Sequence, residues 1–196
     1  LETLLGVMQN SFPMFRRYLN AKAKRLGKDQ LPWWDLFAPL GKSERRYSWV
    51  DGQSFIVNQF ETFSARLSKL AARAFEKRWI DADPRDGKRG GAFCMDVPMD
   101  DESRILCNFD GSFDQVSTVA HELGHAYHNE CQVGKTMLQT RTPMTLAETA
   151  STFCQTIITE AALEKSSSAD EQLSIIENWL IDSTQIIVDI TSRFMF

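Results

Sequence analysis

Apolar residues along the chain recur mostly at helical spacing. Leu1, Leu4, Leu5 and Met8 open the pattern, and Ser11 can cap a second helix that carries Phe15, Tyr18, Leu19, Lys22 and Leu26 and ends at Gly27. The stretch LPWWDLFAPLGKSERRYSWVDG is too rich in proline, glycine and aromatics for regular helix, and reads as a packed loop anchored by Trp33 and Trp34. From about Gln53 to Ile80 the helical period returns through Phe55, Phe60, Phe63, Leu67, Leu70, Ala74 and Trp79, which predicts one long amphipathic helix stopped by DADPRDG. The period then changes. GGAFCM and RILCNF are short, glycine-started or β-branched and aromatic, and flank the polar DVPMDDES; they predict a β-hairpin, the only convincing strands. Ser112 and Gln115 have capping-box spacing, so a helix should begin there and run through FDQVSTVAHELGHAYHNE. A loop over Cys131 to Thr142, a helix from near Thr145 to Glu164, a break at KSSSADE and a last helix from about Glu171 complete the chain. The expected fold is mainly α with one small β-hairpin or sheet, in a single domain over 1–196.

Composition narrows the function. With 43% apolar and 11% aromatic residues the 196-residue chain is a soluble globular protein with a sizeable core. A formal charge of −4 leaves no general basic surface, which argues against nucleic acid as a partner. No stretch approaches the roughly 18 apolar residues of a membrane span, since even LIDSTQIIVDI is interrupted by Asp182 and Asp189. LETLLGVMQN lacks the basic start and cleavage site of a signal peptide, so a cytoplasmic home is the simplest expectation. Cys94, Cys107, Cys131 and Cys154 show no C-x-x-C spacing and read as reduced, mostly buried thiols. The chain starts without Met and ends at ITSRFMF without a stop signal, as if both ends were cut from longer helices, whose uncovered faces would favour self-association.

The chemistry concentrates in STVAHELGHAYHNE, which holds all three histidines. His121 and His125 are four apart, so on a helix they point the same way one turn apart and can share one ion. With Glu122 between them they make H-E-x-x-H, a zinc-peptidase pattern in which the glutamate is the general base. The bland alternative is the polar face of a helix. Apolar Val119, Ala120, Leu123 and Ala126 around the motif favour a buried helix, where histidines need partners. A catalytic zinc keeps three protein ligands, so a third donor must come from elsewhere. Glu148 in TLAETAS is a candidate, although Thr145 and Glu148 also have capping-box spacing, and Glu160 is the rival. Ala147, Ala150, Ser151 and Cys154 make a small-residue surface for a close helix crossing. His128 lies about 10 Å along the axis from His121, too far to bind the same ion. It stands beside the ligands, faces substrate, or is a plain surface histidine.

GKRGGAFC, then ILCNFDGSFDQVSTVAHELGHAYHNE, then PMTLAETASTFCQTIITE together resemble the central catalytic segment of the oligoendopeptidase F family of zinc metallopeptidases, relatives of thimet oligopeptidase. The resemblance spans about 33–164, and implies a zincin-like core cut from a longer, mostly helical peptidase. It implies one Zn2+ per chain on His121, His125 and Glu148, with Glu122 as catalytic base and oligopeptides as substrates. Family members add a histidine and tyrosines downstream of the ligands to bind the substrate oxyanion; here no histidine follows His128, and the tyrosines are Tyr18, Tyr47 and Tyr127. The expectation is therefore a complete metal site with an incomplete oxyanion site. The alternative is a helical fragment that binds zinc or peptide without turnover. Gly91, Ala92 and Phe93 are the candidate substrate contacts, together with His128. GGAFCM or its partner RILCNF would offer a strand edge to an extended peptide, unless Gly90 and Gly91 serve only to shape a turn.

Overall fold

The structure is a computed structural model that describes residues 1–41 and 45–196. Its helices are α1 (Glu2–Arg25), α2 (Trp49–Phe63), α3 (Ala65–Glu76), α4 (Phe113–Gln132), α5 (Met144–Ala147), α6 (Thr149–Lys165), α7 (Ala169–Thr184) and α8 (Ile190–Met195), the last two joined by a π-helical stretch, Gln185–Asp189. Three strands, β1 (Ile80–Asp81), β2 (Phe93–Val97) and β3 (Glu102–Leu106), form one sheet in the order β1-β3-β2. The chain is mainly helical with one small sheet, as the apolar pattern predicts.

Two compact units divide these elements, residues 1–44 with 166–196, and residues 45–165. In the first, α1 is one helix where two are expected. The Ser11 hydroxyl donates back to the Val7 carbonyl instead of capping a new helix, and Pro13 is accommodated inside. Lys22, which falls on the apolar stripe, is fully buried because its ammonium is paired with Glu177 and donates to the Leu36 carbonyl, while the Tyr18 hydroxyl donates to Glu177 at 2.7 Å. The predicted loop at 31–52 includes a 3-10 turn, Trp33–Asp35, whose tryptophans are exposed rather than anchoring; 42–44 lie outside the described residues.

The second unit carries the chemistry. The long helix expected over 53–80 is broken at Ser64, which is extended and caps α3 by accepting from the Leu67 amide. The apolar period runs through the break because both helices bury their stripes, Phe55, Ile56 and Phe60 on α2, and Leu67, Leu70, Ala71 and Ala74 on α3. What read as the tail of that helix is partly strand, since Ile80 and Asp81 pair in parallel with Ile105 and Leu106. The hairpin forms, but its strands lie nearer the turn than their composition suggests. Gly91 has φ +80°, outside the strand range, so β2 starts after it; Asp101 has φ +51°, a value aspartate tolerates, so the turn shrinks and polar Asp96, Glu102 and Ser103 join the antiparallel ladder.

Ser112 caps α4 by accepting from the Gln115 amide, as expected, with Val116, Val119, Ala120, Leu123 and Ala126 buried along the helix. Residues 145–164, expected as one helix, are split at Glu148, the residue between α5 and α6. The Thr145–Glu148 capping box does not form; Pro143 precedes α5 with no side-chain cap. All four cysteines are free; Cys107 and Cys154 are buried, Cys94 is half-buried and Cys131 is exposed.

Candidate active site

α4 and α6 cross closely, and a glycine allows it. A Cβ on Gly124, inside HELGH, would stand 2.6 Å from both the Ala150 carbonyl oxygen and the Ser151 Cα. Ala150 and Ser151 belong to the small-residue surface read from the sequence; Gly124 is its other half. The crossing brings Glu148 over the motif. Glu148 Oε2 is 3.1 Å from His121 Nε2 and 3.2 Å from His125 Nε2, and one ligand atom of each residue lies within 4.8 Å of the others. The rival, Glu160, is exposed on α6 and outside this group.

The hydrogen bonds around the three donors prepare them for a cation. Gln155 Oε1 lies 3.0 Å from His121 Nδ1, so Nδ1 carries the proton and Nε2 turns its lone pair to Glu148. The Ser151 hydroxyl donates to Glu148 Oε2 at 2.8 Å. Burial works against the Glu148 charge, but that hydrogen bond and the two histidines hold its carboxyl below the usual range. Burial also keeps His125 below its ordinary value, against the pull of Glu148, so this imidazole resists protonation. Two imidazole nitrogens and a carboxylate oxygen thus converge on one point, where a cation would satisfy all three. Donors at about 2.0–2.1 Å from a tetrahedral ion stand about 3.3 Å apart, close to the 3.1 and 3.2 Å that separate Glu148 from the two histidines, so the set fits a metal ion.

Glu122 is buried, and its Oε2 has no hydrogen-bond partner among the described residues. Burial pushes its carboxyl up to about 7, with His121 acting against the shift and Glu148 adding to it. It lines an open cleft together with His121, His125 and Glu148, with Ala92, Phe93, Cys94 and Asp96 of the β2 segment, and with Asn129. β2 is an edge strand, whereas β3 is central, so of the two hairpin strands only β2 offers a free edge.

The candidate substrate contacts separate. Ala92 and Phe93 line the cleft; Gly91 lies outside it, at a positive φ that a turn requires. His128 lies away from the metal donors, its Nε2 2.9 Å from Gln132 Nε2 and 3.2 Å from Thr142 Oγ1. Two residues missed in the sequence hold the entry to β2. The Lys88 side chain is 2% exposed, its ammonium donating to the carbonyls of Asp81, Asp83 and Cys107, and the Asn108 amide donates to those of Arg89 and Gly91. Nothing in their spacing marks them, nor Gln155. A glycine inside a helical pattern could have flagged Gly124.

With this geometry in hand, comparison with known proteins is decisive, for the sequence profile of Peptidase family M3 matches residues 1–188. The chain belongs to this family. An oligoendopeptidase F homolog of Lactococcus lactis subsp. lactis is 28% identical over 180 residues, covering 91% of this chain and 30% of the relative. The group B oligopeptidase PepB of Streptococcus agalactiae is also 28% identical, with the same coverage. A crystal structure described as a peptidase from Chlamydophila abortus superposes with a TM-score of 0.79 at 22% identity, over 94% of this chain and 31% of that one. PZ peptidase A with inhibitor 2 superposes at 0.73 and 16% identity, over 94% and 35%. The likeness to oligoendopeptidase F read from the motifs thus extends to fold, and the chain spans about 30% of the length of these M3 relatives. Family membership implies a metal cofactor, and His121, His125 and Glu148 are the donor group suited to it. Among the described residues no helix is long and apolar enough to cross a membrane.

Proposed function

We propose that the chain carries the zinc-binding catalytic core of an endopeptidase that cleaves oligopeptides, with one zinc ion per chain and Glu122 as general base. The observation that supports this most is the meeting of His121, His125 and Glu148 beside the buried Glu122, in a cleft flanked by the free edge of β2. Zinc on these three donors would supply Lewis acidity toward a peptide carbonyl and make water nucleophilic at neutral pH. An extended peptide would add to β2 as a further antiparallel strand, its backbone bonded to the open edge. Glu122, buried beside the three donors, would take the proton of the attacking water and pass it to the leaving amine. The relatives named oligoendopeptidase and oligopeptidase support short peptides as substrates. Four free cysteines agree with a reducing, cytoplasmic setting.

A second reading is a metal-binding core that turns nothing over by itself. It is favoured by where the remaining donors lie. Tyr127 packs under the Arg66 guanidinium, Tyr47 against Phe55, Tyr18 on Glu177, and His128 beside Gln132 and Thr142, so none lines the cleft to bond an oxyanion. Hydrolysis of a quenched-fluorescent oligopeptide by the zinc-loaded chain, stopped by a chelator and restored by zinc, supports the first reading. Stoichiometric zinc with no hydrolysis supports the second.

A further inference from the structure

The cleft contains one carboxylate that neither the metal site nor the proton transfer uses. Asp96 is exposed on the edge strand and takes part in no ion pair among the described residues. Its position follows from register. Cys94 lies beside Asn129, with Sγ 4.0 Å from the amide nitrogen, and Asp96, two residues on, shares the face of β2 turned to α4. β2 advances in the same sense as α4, since Ala92 and Phe93 line the cleft with His121 and His125, whereas Asp96 also lines the cavity beyond with Gln132 and Val133. From the level of His125 to Asn129 is about 6 Å on the helix, and Asn129, which donates to Ser103 Oγ at 3.1 Å, stands level with Asp96, the register partner of Ser103, or about one residue short of it. A peptide pairing antiparallel with β2 would thus bring a residue about two to three positions before its scissile bond to Asp96.

The surroundings of Asp96 are also acidic. It forms part of the wall of a neighbouring cavity that Asn129 borders too; there Glu130 is paired with Arg73 and Glu102 with Arg104, which leaves Asp96 and Asp101 against Lys135. The same wall includes Gln132 and Val133, at the end of α4, where helix carbonyls present partial negative charge.

We propose that Asp96 is a specificity-determining residue that favours a cationic side chain, lysine or arginine, two to three residues before the cleaved bond. The inference rests on the peptidase reading above. The test uses oligopeptides identical except for Lys, norleucine or Glu at those positions. Their kcat/KM is measured with the zinc-loaded chain, and their affinity with zinc-loaded Glu122→Gln by fluorescence anisotropy. The expected order is Lys, norleucine, Glu, spread over about fivefold or more, as for a partly solvated charge pair. Asp96→Asn should bring the three within about twofold, and Asp96→Lys should invert the order, at unchanged zinc content. An order unaffected by Asp96→Lys, no charge preference in the parent chain, or a lysine preference only after the cleaved bond overturns the proposal. Binding of peptide by no variant overturns the peptidase reading with it.

Discussion

Replacing Gly124 with alanine tests how the fold makes the proposed metal site. An alanine Cβ there would meet two backbone atoms of α6 at 2.6 Å, where ordinary contact begins near 3.4 Å, so the helices must part by about 0.8 Å. Alanine gains about 1 kcal/mol of helix propensity over glycine, while overpacking costs about 1–3 kcal/mol, so the metal-free chain should lose up to about 2 kcal/mol. For a chain of this length that is a fall in Tm of up to about 8 °C. The metal should suffer more, because Glu148 is two residues from Ala150 and a metal site tolerates errors of only about 0.2 Å in ligand distance. We expect zinc affinity to fall at least about tenfold, the scale on which misoriented ligands are felt. The assay is chelator competition for zinc, paired with thermal melting of the metal-free chain. Gly6→Ala is the control, since Gly6 is helical with nothing within 4 Å of the added carbon, and should stabilise by roughly 1 kcal/mol. If Gly124→Ala keeps zinc affinity within twofold and leaves Tm unchanged, close contact of α4 with α6 does not set the ligand geometry.

Glu148→Gln should strip zinc at chelator concentrations that leave Glu160→Gln loaded; equal zinc content in the two variants would contradict the ligand set. Gln155→Leu should weaken zinc binding by about 10- to 100-fold through loss of the His121 partner, and Gln155→Glu should restore it, as followed by zinc titration. In the metal-free chain, burial raises the folded-state pKa of Glu122, so its contribution to stability is full below about pH 4.5 and is lost as pH rises through about 7. Glu122→Gln should therefore raise Tm at pH 8 by more than at pH 4; an equal change at both would contradict the shift. Zinc binding should weaken on acidification as protons compete for the imidazoles, and retention at pH 7 but not at pH 4, read by metal analysis after dialysis, is the expected outcome.

Much of the second unit was legible because its signals are local. Ser112 and the 3.6-residue period were enough to frame α4, and the spacing of His121 and His125 was enough to put both on one face. The proposed third donor was not so readable. Glu148 and Glu160 are the same residue type on one predicted helix, and residue chemistry left both open; resemblance to a family favoured Glu148, and the structure brings it to the histidines through the break between α5 and α6. Ser64 hid its break because the apolar stripe on either side faces the same core. Polar Asp96, Glu102 and Ser103 belong to strands because the hairpin turn is tight, a backbone property that composition does not carry. Gln155 and Lys88 escaped notice for one reason: their partners are 34 and 19 residues away, respectively, His121 and the Cys107 carbonyl.

The most direct test of the account is to measure zinc content and peptide turnover on the same sample of Glu122→Gln beside the parent chain. One zinc per chain in both, with hydrolysis in the parent and a loss of at least about a hundredfold in the variant, is the predicted result, on the scale of removing a general base. Loss of zinc together with activity would make Glu122 a support of the metal site, and parent-level turnover in a zinc-loaded variant would show that another group moves the proton.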